Sequence, residues 1–160
     1  MTFVLRDRPL PGDETALPGI ATACGNFSED EVAFVPEILE KLIEEGELHS
    51  GYRLLVASDG EGPAAFAIWG PIPATDRRYD LYWIATHPRA QGRGAGRLLL
   101  EETARRARIE NASHLFIETE TGADYTAAHK LYEACGFPLI TTIPDYYRDG
   151  RAKAVYGARL

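Results

Sequence analysis

The chain has 160 residues, with 24 acidic residues against 17 basic ones and a formal net charge of −7. This length predicts a single domain over residues 1–160, large enough to bury a core without disulfides or a metal. The acidic balance argues against a nucleic-acid partner, because phosphate contacts need a basic surface. No apolar stretch is long enough for a membrane span, no secretion signal is visible, and the two distant cysteines match no metal or redox spacing. A cytoplasmic location is therefore expected.

The charge is unevenly distributed along the chain. Between Glu29 and Glu47, eight acidic residues stand against Lys41 alone, a balance of −7 that equals the charge of the whole chain. Between Arg89 and Arg108, six arginines stand against two glutamates, a balance of +4. Such runs are usually solvated faces, so motifs must decide whether either segment binds a ligand.

The first third of the chain predicts a strand, a loop and a helix. Phe3–Arg6 is a short apolar strand, and Asp7–Pro18 is rich in Pro and Gly, which favours a loop. Ser28 has a Glu three residues later, a capping box that begins a helix. Apolar residues then recur at helical spacing, with Pro36 expected to kink or break the helix and Gly46 to end it.

The middle of the chain predicts three strands and a second helix. Tyr52–Ser58 and Ala64–Trp69 are apolar and are joined by the turn sequence DGEG, which indicates a β-hairpin. Asp80–Ala85 is the next strand, and a glycine-rich loop follows it. Arg97–Arg108 then has helical spacing, with Leu98 and Leu99 on its buried side.

The last third predicts a strand, a helix and two closing strands. His114–Glu118 is an apolar strand, and Asp124–Cys135 is a helix that Gly136 terminates. Phe137–Ile143 and Ala152–Ala158 are the closing strands. Hairpins come first and strand–helix units later, so the fold class is α/β (α+β), with a mixed sheet and helices on both of its faces.

The glycine-rich loop between the predicted strand Asp80–Ala85 and the predicted helix Arg97–Arg108 has the features of a phosphate-binding site. Glycines there let the backbone approach a ligand and point its N–H groups outward, and the helix N-terminus adds partial positive charge. The loop lacks the Lys and Ser/Thr of a Walker A motif, and Arg97 stands where a dinucleotide-binding fingerprint needs a third glycine. The alternative is a tight structural connection. The loop residues are Gln91, Gly92, Arg93, Gly94, Ala95 and Gly96.

A second motif decides between these interpretations. Residues 127–137 have the form A-x-x-x-L-Y-x-x-x-G-F. Together with the loop, which matches the pattern Q/R-x-x-G-x-G/A, this segment resembles the GCN5-related N-acetyltransferase (GNAT) family. The resemblance covers the whole chain and implies a mixed, mostly antiparallel sheet of about six to seven strands. The matching residues are Gln91, Gly94, Gly96, Leu131, Tyr132, Gly136 and Phe137.

The resemblance implies transfer of an acetyl group from acetyl-CoA to a primary amine, which belongs to a small molecule or a peptide. The amine is expected to attack the thioester directly, and no metal is expected. The pyrophosphate is expected on the N–H groups of Gln91–Gly96 and the pantetheine arm along Ile84 and Ala85, where that strand splays from the next. An N–H near Ala85 would polarise the thioester carbonyl. Homodimers are common in the family, although no feature of this sequence requires one. The alternative is a catalytically silent module that only binds acetyl-CoA.

Two residues are the expected catalytic groups. Tyr132 matches the general-acid tyrosine of the family. The alternative is that Tyr132 only packs in the hydrophobic core. Glu118, at the end of an apolar strand, is the preferred base, since related ribosomal-protein alanine acetyltransferases carry a similar strand that ends in a glutamate. Asp80 or a chain of waters is the rival base, and a solvated carboxylate is the structural alternative for Glu118.

The acceptor side departs from the family pattern. Tyr125 stands where the family often has an asparagine seven residues before the tyrosine, so contacts from this region are not carried over. The segment that contains Asp145, Tyr146 and Tyr147 offers aromatic faces and a carboxylate to a cationic amine. His129, one turn before Tyr132, is expected at the surface, and the histidines form no cluster with metal-ligand spacing.

Overall fold

A computed structural model describes residues 2–160, which form one seven-stranded sheet with helices on both faces. The strands are β1 (Val4–Arg6), β2 (Arg53–Asp59), β3 (Gly62–Pro71), β4 (Arg78–Thr86), β5 (His114–Glu120), β6 (Leu139–Arg148) and β7 (Arg151–Arg159). The helices are α1 (Asp13–Cys24), α2 (Glu29–Ser50), α3 (Ala95–Ile109) and α4 (Thr126–Ala134). The sheet has the order β1-β2-β3-β4-β5-β7-β6, and all its pairings are antiparallel except that of β4 with β5. The predicted fold class is confirmed.

Helix α1 corrects the loop predicted over Asp7–Pro18. It begins at Asp13, after Gly12 in the left-handed conformation, and Pro18 lies inside it. The apolar side chains of Leu17 and Ile20 recur one turn apart and are buried, which stabilises the helix against the sheet. The density of Pro and Gly therefore predicted the wrong local structure from Asp13 onward, whereas residues 7–12 lie outside the helices and strands as predicted.

Helix α2 begins with the predicted capping box, in which the Ser28 hydroxyl accepts a hydrogen bond from the backbone N–H of Glu31. Pro36 lies within the helix, and the residue of α2 with non-helical dihedral angles is Gly46. The helical assignment resumes after Gly46 and continues to Ser50. Gly46 thus interrupts the helix where the sequence predicted its end.

Two layers of apolar side chains fill the space on either side of the sheet. Helices α1 and α2 cover one face, where Leu17, Val35 and Phe66 are fully buried. Helices α3 and α4 cover the other, where Leu99 and Leu115 are fully buried. Burial of large side chains at roughly 25 cal/mol per Å² is the main stabilisation of such a fold.

The sheet is split at its centre. Residues Arg78–Asp80 of β4 pair with residues His114–Phe116 of β5, and the pairing stops there. Strand β4 nevertheless continues to Thr86 and β5 to Glu120. Beyond Asp80 the two strands therefore separate and leave a gap in the sheet. Strand β4 also carries a bulge, because Leu81 faces Trp69 and Trp83 faces Ile68, so that Tyr82 has no partner on β3.

Candidate active site

A cavity of about 370 Å³ lies between the glycine-rich loop, the start of α3 and helix α4. The N–H groups of Gly92, Gly94, Ala95 and Gly96 donate to no acceptor among residues 2–160. Gly92 and Gly94 have φ values of 71° and 89°, which residues other than glycine rarely adopt. The Gln91 side-chain amide donates to the Thr86 carbonyl at 3.2 Å and fastens the loop to the end of β4. We call this cavity the donor cavity.

The donor cavity fits a pyrophosphate, since free N–H groups at a helix N-terminus attract anions. Six of the eight predicted cofactor residues line it: Ile84, Gln91, Gly92, Gly94, Ala95 and Gly96. Ala85 does not, because its side chain is 2% exposed and packs in the core beneath α1 and α2. Arg93 does not either, because its guanidinium lies 3.4 Å from the Asp59 carboxylate and over the ring of Phe3.

The positive charge predicted around the loop is largely paired within the protein. Asp59 also binds Arg89 at 3.1 Å, and the N–H of Glu61 together with these arginines lowers the pKa of Asp59. Arg97 lines the donor cavity, and its partner Glu101 lies at 3.2 Å on the exposed face of α3. Arg97 is thus the charged side chain among the residues that line this cavity.

Tyr132 stands where the donor cavity meets a second cavity, of about 280 Å³, in the gap between β4 and β5. The two cavities share Asn26, Ile84, Ala128 and Tyr132 as lining residues. Tyr132 is 4% exposed, with its ring against that of Tyr156, and burial raises the pKa of its phenol. The hydroxyl therefore stays protonated at neutral pH and has a proton to donate.

The second cavity, which we call the acceptor cavity, is acidic and aromatic. Its carboxylates come from Glu31, Asp80, Glu118 and Glu120, and its rings from Phe27, Tyr82, Trp83, Tyr125, Tyr132 and Tyr147. Burial raises the pKa of both Tyr82 and Tyr125 to about 12, so these phenols are neutral hydrogen-bonding groups. Glu118 is ion-paired with Lys153, and Glu120 with Arg148 and Arg151. Glu31, Asp80 and the aromatic rings therefore give the cavity the chemistry to hold a cationic amine.

Asp80 and Glu118 occupy different environments in this cavity. Asp80 is the last residue of β4 that pairs with β5, and its buried Oδ1 has no hydrogen-bond partner among residues 2–160. Burial, assisted by the negative charge of Glu118 and opposed by Lys153, raises the pKa of Asp80 to about 6. The Glu118 carboxylate is about half exposed and lies 2.7 Å from Nζ of Lys153. Asp80 is thus the carboxylate free to take a proton, whereas Glu118 is held by an ion pair.

The segment that departs from the family pattern forms a bridge over the site. The Tyr125 hydroxyl donates a hydrogen bond to the carbonyl oxygen of Asn26, between α1 and α2. His129 is half-buried, contrary to the surface position expected for it, and stacks between Tyr125 and Tyr156. Tyr125 therefore ties the α1–α2 connection to the start of α4 beside Tyr132. Asn26 could not be identified from the sequence, because its role depends on a contact 99 residues away.

Of the three residues suggested as a cradle for the amine, Tyr147 lines the acceptor cavity. The Tyr146 ring lies 4.6 Å from Nζ of Lys153, so it faces the protein's own ammonium group. Asp145 accepts a hydrogen bond from the Gly150 N–H and closes the β6–β7 turn. Within the described chain no three His, Cys, Asp or Glu side chains are grouped to hold a metal. None of its helices has the length and apolar character needed to cross a membrane.

Known proteins share this architecture. A solved protein from Desulfovibrio desulfuricans assigned to the GNAT acetyltransferases is 31% identical, with a TM-score of 0.93 over 99% of both chains. The ribosomal-protein-S18-alanine N-acetyltransferase of Escherichia coli is 24% identical, with a TM-score of 0.74 over 98% of this chain and 94% of that one. A Salmonella typhimurium protein solved with acetyl-CoA is 19% identical, with a TM-score of 0.79 over 100% of this chain and 95% of its own. The last two show the fold alone.

Sequence similarity agrees with the structural likeness. The mycothiol acetyltransferase of Beutenbergia cavernae is 32% identical over 94 residues, which are 58% of this chain and 30% of that relative. This chain thus matches less than a third of the length of that curated relative. The model of the Acetyltransferase (GNAT) family matches residues 22–137, which include α2, the glycine-rich loop and Tyr132. The chain belongs to the GNAT acetyltransferase family.

Proposed function

We propose that this protein transfers the acetyl group of acetyl-CoA to a primary amine. The observation that carries the proposal is the meeting of two unlike cavities at Tyr132, in the gap between β4 and β5. One cavity offers unpaired N–H groups to an anionic donor, and the other offers carboxylates and aromatic rings to a cationic acceptor. The relative named as a mycothiol acetyltransferase supports acetyl transfer as the reaction.

The donor would be held mainly by backbone groups. The N–H groups of Gly92, Gly94, Ala95 and Gly96 would bind the pyrophosphate, with Arg97 as a charged contact. Ile84, which borders both cavities, would lie beside the pantetheine arm where it passes toward Tyr132. Acetyl-CoA supplies a thioester, an acyl group that is already activated toward an amine. The protein therefore needs to orient the two substrates and to move protons.

Asp80 is the base that we favour over Glu118 and a chain of waters. An amine must lose a proton before it can attack, because an ammonium group has no lone pair. A carboxylate with a pKa of about 6 is roughly nine-tenths ionised at pH 7, yet it is a stronger base than an ordinary aspartate. Glu118 can accept a proton only at the expense of its ion pair with Lys153. Glu118 then acts through its charge, which raises the pKa of Asp80.

Tyr132 would supply the proton at the other end of the reaction. A departing thiolate is a weaker base than a phenolate, so the Tyr132 hydroxyl at the cavity junction would share its proton with the sulfur through a hydrogen bond as the C–S bond breaks. The buried position of Tyr132 keeps that phenol protonated over the neutral pH range. The hydrogen bond from Tyr125 to Asn26 would hold the walls of this junction together.

The test is a measurement of free thiol release when the protein is mixed with acetyl-CoA and a panel of primary amines. Release that depends on the amine, with an acetylated product of the expected mass, is the predicted result. Calorimetric binding of acetyl-CoA without release across the panel would instead identify a silent binding module. A protein that neither binds acetyl-CoA nor releases thiol would overturn the proposal altogether.

A further inference from the structure

A third cavity, of about 420 Å³, lies on the α2 side of the sheet next to the acceptor cavity. Phe34, Ile38 and Lys41 border it from α2, and Tyr52, Tyr82 and Trp83 border it from β4 and the segment before β2. Tyr82 and Trp83 are also lining residues of the acceptor cavity. We call this surface the aromatic groove. It is continuous with the acceptor cavity through these two side chains.

The bulge in β4 produces that continuity. Consecutive residues of a regular strand point to opposite faces, whereas an extra residue lets two neighbours border the same face. Tyr82 is the residue without a partner on β3, and both Tyr82 and Trp83 border the groove. A molecule with its amine near Asp80 thus has an aromatic surface next to it along β4.

The groove offers apolar surface that nothing in the described chain covers. The Phe34 side chain is 55% exposed and Tyr82 is 36% exposed, both large values for aromatic residues beside a ligand cavity. Tyr52 and Tyr82 meet edge to face, with ring centroids 5.7 Å apart. Aromatic rings prefer edge-to-face or offset-stacked contacts, and the exposed surfaces of Phe34 and Tyr82 are free for such a contact with a further ring.

The charges at the groove select against a second cation and favour a neutral occupant. Nζ of Lys41 lies 6.0 Å from the centroid of the Tyr52 ring, so the protein's own ammonium group already uses that aromatic face. Glu37 is also at the groove and balances Lys41 in charge. The acceptor cavity, in contrast, holds Asp80, whose Oδ1 has no hydrogen-bond partner among residues 2–160, for a cationic group.

We propose that the acceptor is an amine with an aromatic substituent, whose ammonium group enters the acceptor cavity and whose ring lies in the aromatic groove. This inference rests on the proposed function and adds the substrate class to it. The amine and the ring are then recognised by different parts of the site. Phe34 and Tyr82 would discriminate between acceptors by the substituent rather than by the amine.

The test compares L-phenylalaninamide with L-alaninamide, which carry the same α-amine and differ by one phenyl ring. We expect kcat/KM to be on the order of tenfold higher for phenylalaninamide, since the ring is buried in a partly open groove. Phe34→Ala should bring the ratio of the two values close to one, and Phe34→Leu should retain part of it. Leu48→Ala is the matched control, because Leu48 is an 86% exposed apolar residue of α2 away from the groove, and this variant should keep the full ratio.

A binding measurement separates this inference from the proposed function. Trp83 borders the groove, so its fluorescence should report phenylalaninamide at roughly tenfold lower concentration than alaninamide, with Trp83→Phe as the blank. Tighter binding of phenylalaninamide without thiol release would support the groove and refute the acetyl-transfer proposal. Equal kcat/KM and equal binding of the two amides would overturn the groove as a ring site. A dimer in sedimentation that Phe34→Ala dissociates would also overturn it, by assigning the groove to a second copy of the chain.

Discussion

Asp80→Asn should make the protein more stable and nearly inactive at the same time. The pKa of Asp80 is raised from 3.8 to about 6, so the folded state binds this proton more tightly than the unfolded state. The contribution of Asp80 to stability is therefore greatest below pH 4 and is lost as the pH rises toward 6. A shift of about two pKa units corresponds to at most about 3 kcal/mol, and solvent screening of a partly exposed group reduces this to about 1–2 kcal/mol.

The stability arm of this prediction is measured by thermal and urea unfolding at pH 4 and pH 8. At pH 8 the variant should gain about 1–2 kcal/mol, or about 2–8 °C in Tm for a chain of this size. At pH 4 the two proteins should differ little, because both side chains are neutral. Asp76→Asn is the control, since the Asp76 side chain is 86% exposed and its removal should change stability by less than about 0.5 kcal/mol.

The activity arm is the dependence of kcat/KM on pH. The wild-type value should fall as the pH drops below about 6, and Asp80→Asn should lower it by about 10²–10⁴-fold at pH 7. Glu118→Gln should shift this acid limb to lower pH, because the negative charge that raises the pKa of Asp80 is gone. If Glu118→Gln abolished the limb while Asp80→Asn kept it, Glu118 would be the base and our assignment would be refuted. A destabilised Asp80→Asn at pH 8 would refute the electrostatic reasoning itself.

Three further variants test the rest of the site. Tyr132→Phe should still bind acetyl-CoA but lose most of its turnover, and full activity at neutral pH would remove Tyr132 from the mechanism. Gly94→Glu should abolish the stabilisation by CoA in a thermal-shift assay, because it places a side chain at φ 89° and a negative charge beside the free N–H groups of Gly96 and its neighbours. Tyr125→Phe loses the hydrogen bond to Asn26 and should raise KM several-fold with a smaller change in kcat; an unchanged KM would show that the bridge is not needed for binding.

Features that depend on neighbouring residues were predicted well from the sequence. The capping box at Ser28, the glycine-rich loop and the Tyr132 motif each lie within a dozen residues, and the structure has them in the predicted order and setting. Helix α3 begins at Ala95 rather than at the predicted Arg97, so Ala95 and Gly96 belong to the helix and not to the loop. Two strands were predicted too short at their C-terminal ends: β3 extends to Pro71 and β6 to Arg148. Those ends are formed by pairing with other strands, which local propensity does not register.

Features that depend on distant residues could not be predicted. Arg93 looked like a ligand contact by its place in the loop, but Asp59, which pairs with it, is 34 residues away. The ion pair between Glu118 and Lys153 arises from the antiparallel register of β5 and β7, which no short motif specifies. The same register and the end of β4–β5 pairing decide that Asp80 is the free carboxylate. Sequence patterns thus named the candidates for the proposed base, and the tertiary contacts are the reason that we favour Asp80 among them.

The short pairing between β4 and β5 also has a mechanical consequence. Among residues 2–160, three residue pairs join the block β1–β4 to the block β5–β7–β6, as few as join the short edge strand β1 to β2, so few hydrogen bonds hold the two halves of the sheet together. A substrate bound in the gap would contact both blocks and would therefore restrict their separation. Amide hydrogens near Asp80 and Phe116 should therefore exchange more slowly with solvent once the gap is filled, while those between β2 and β3 should change little.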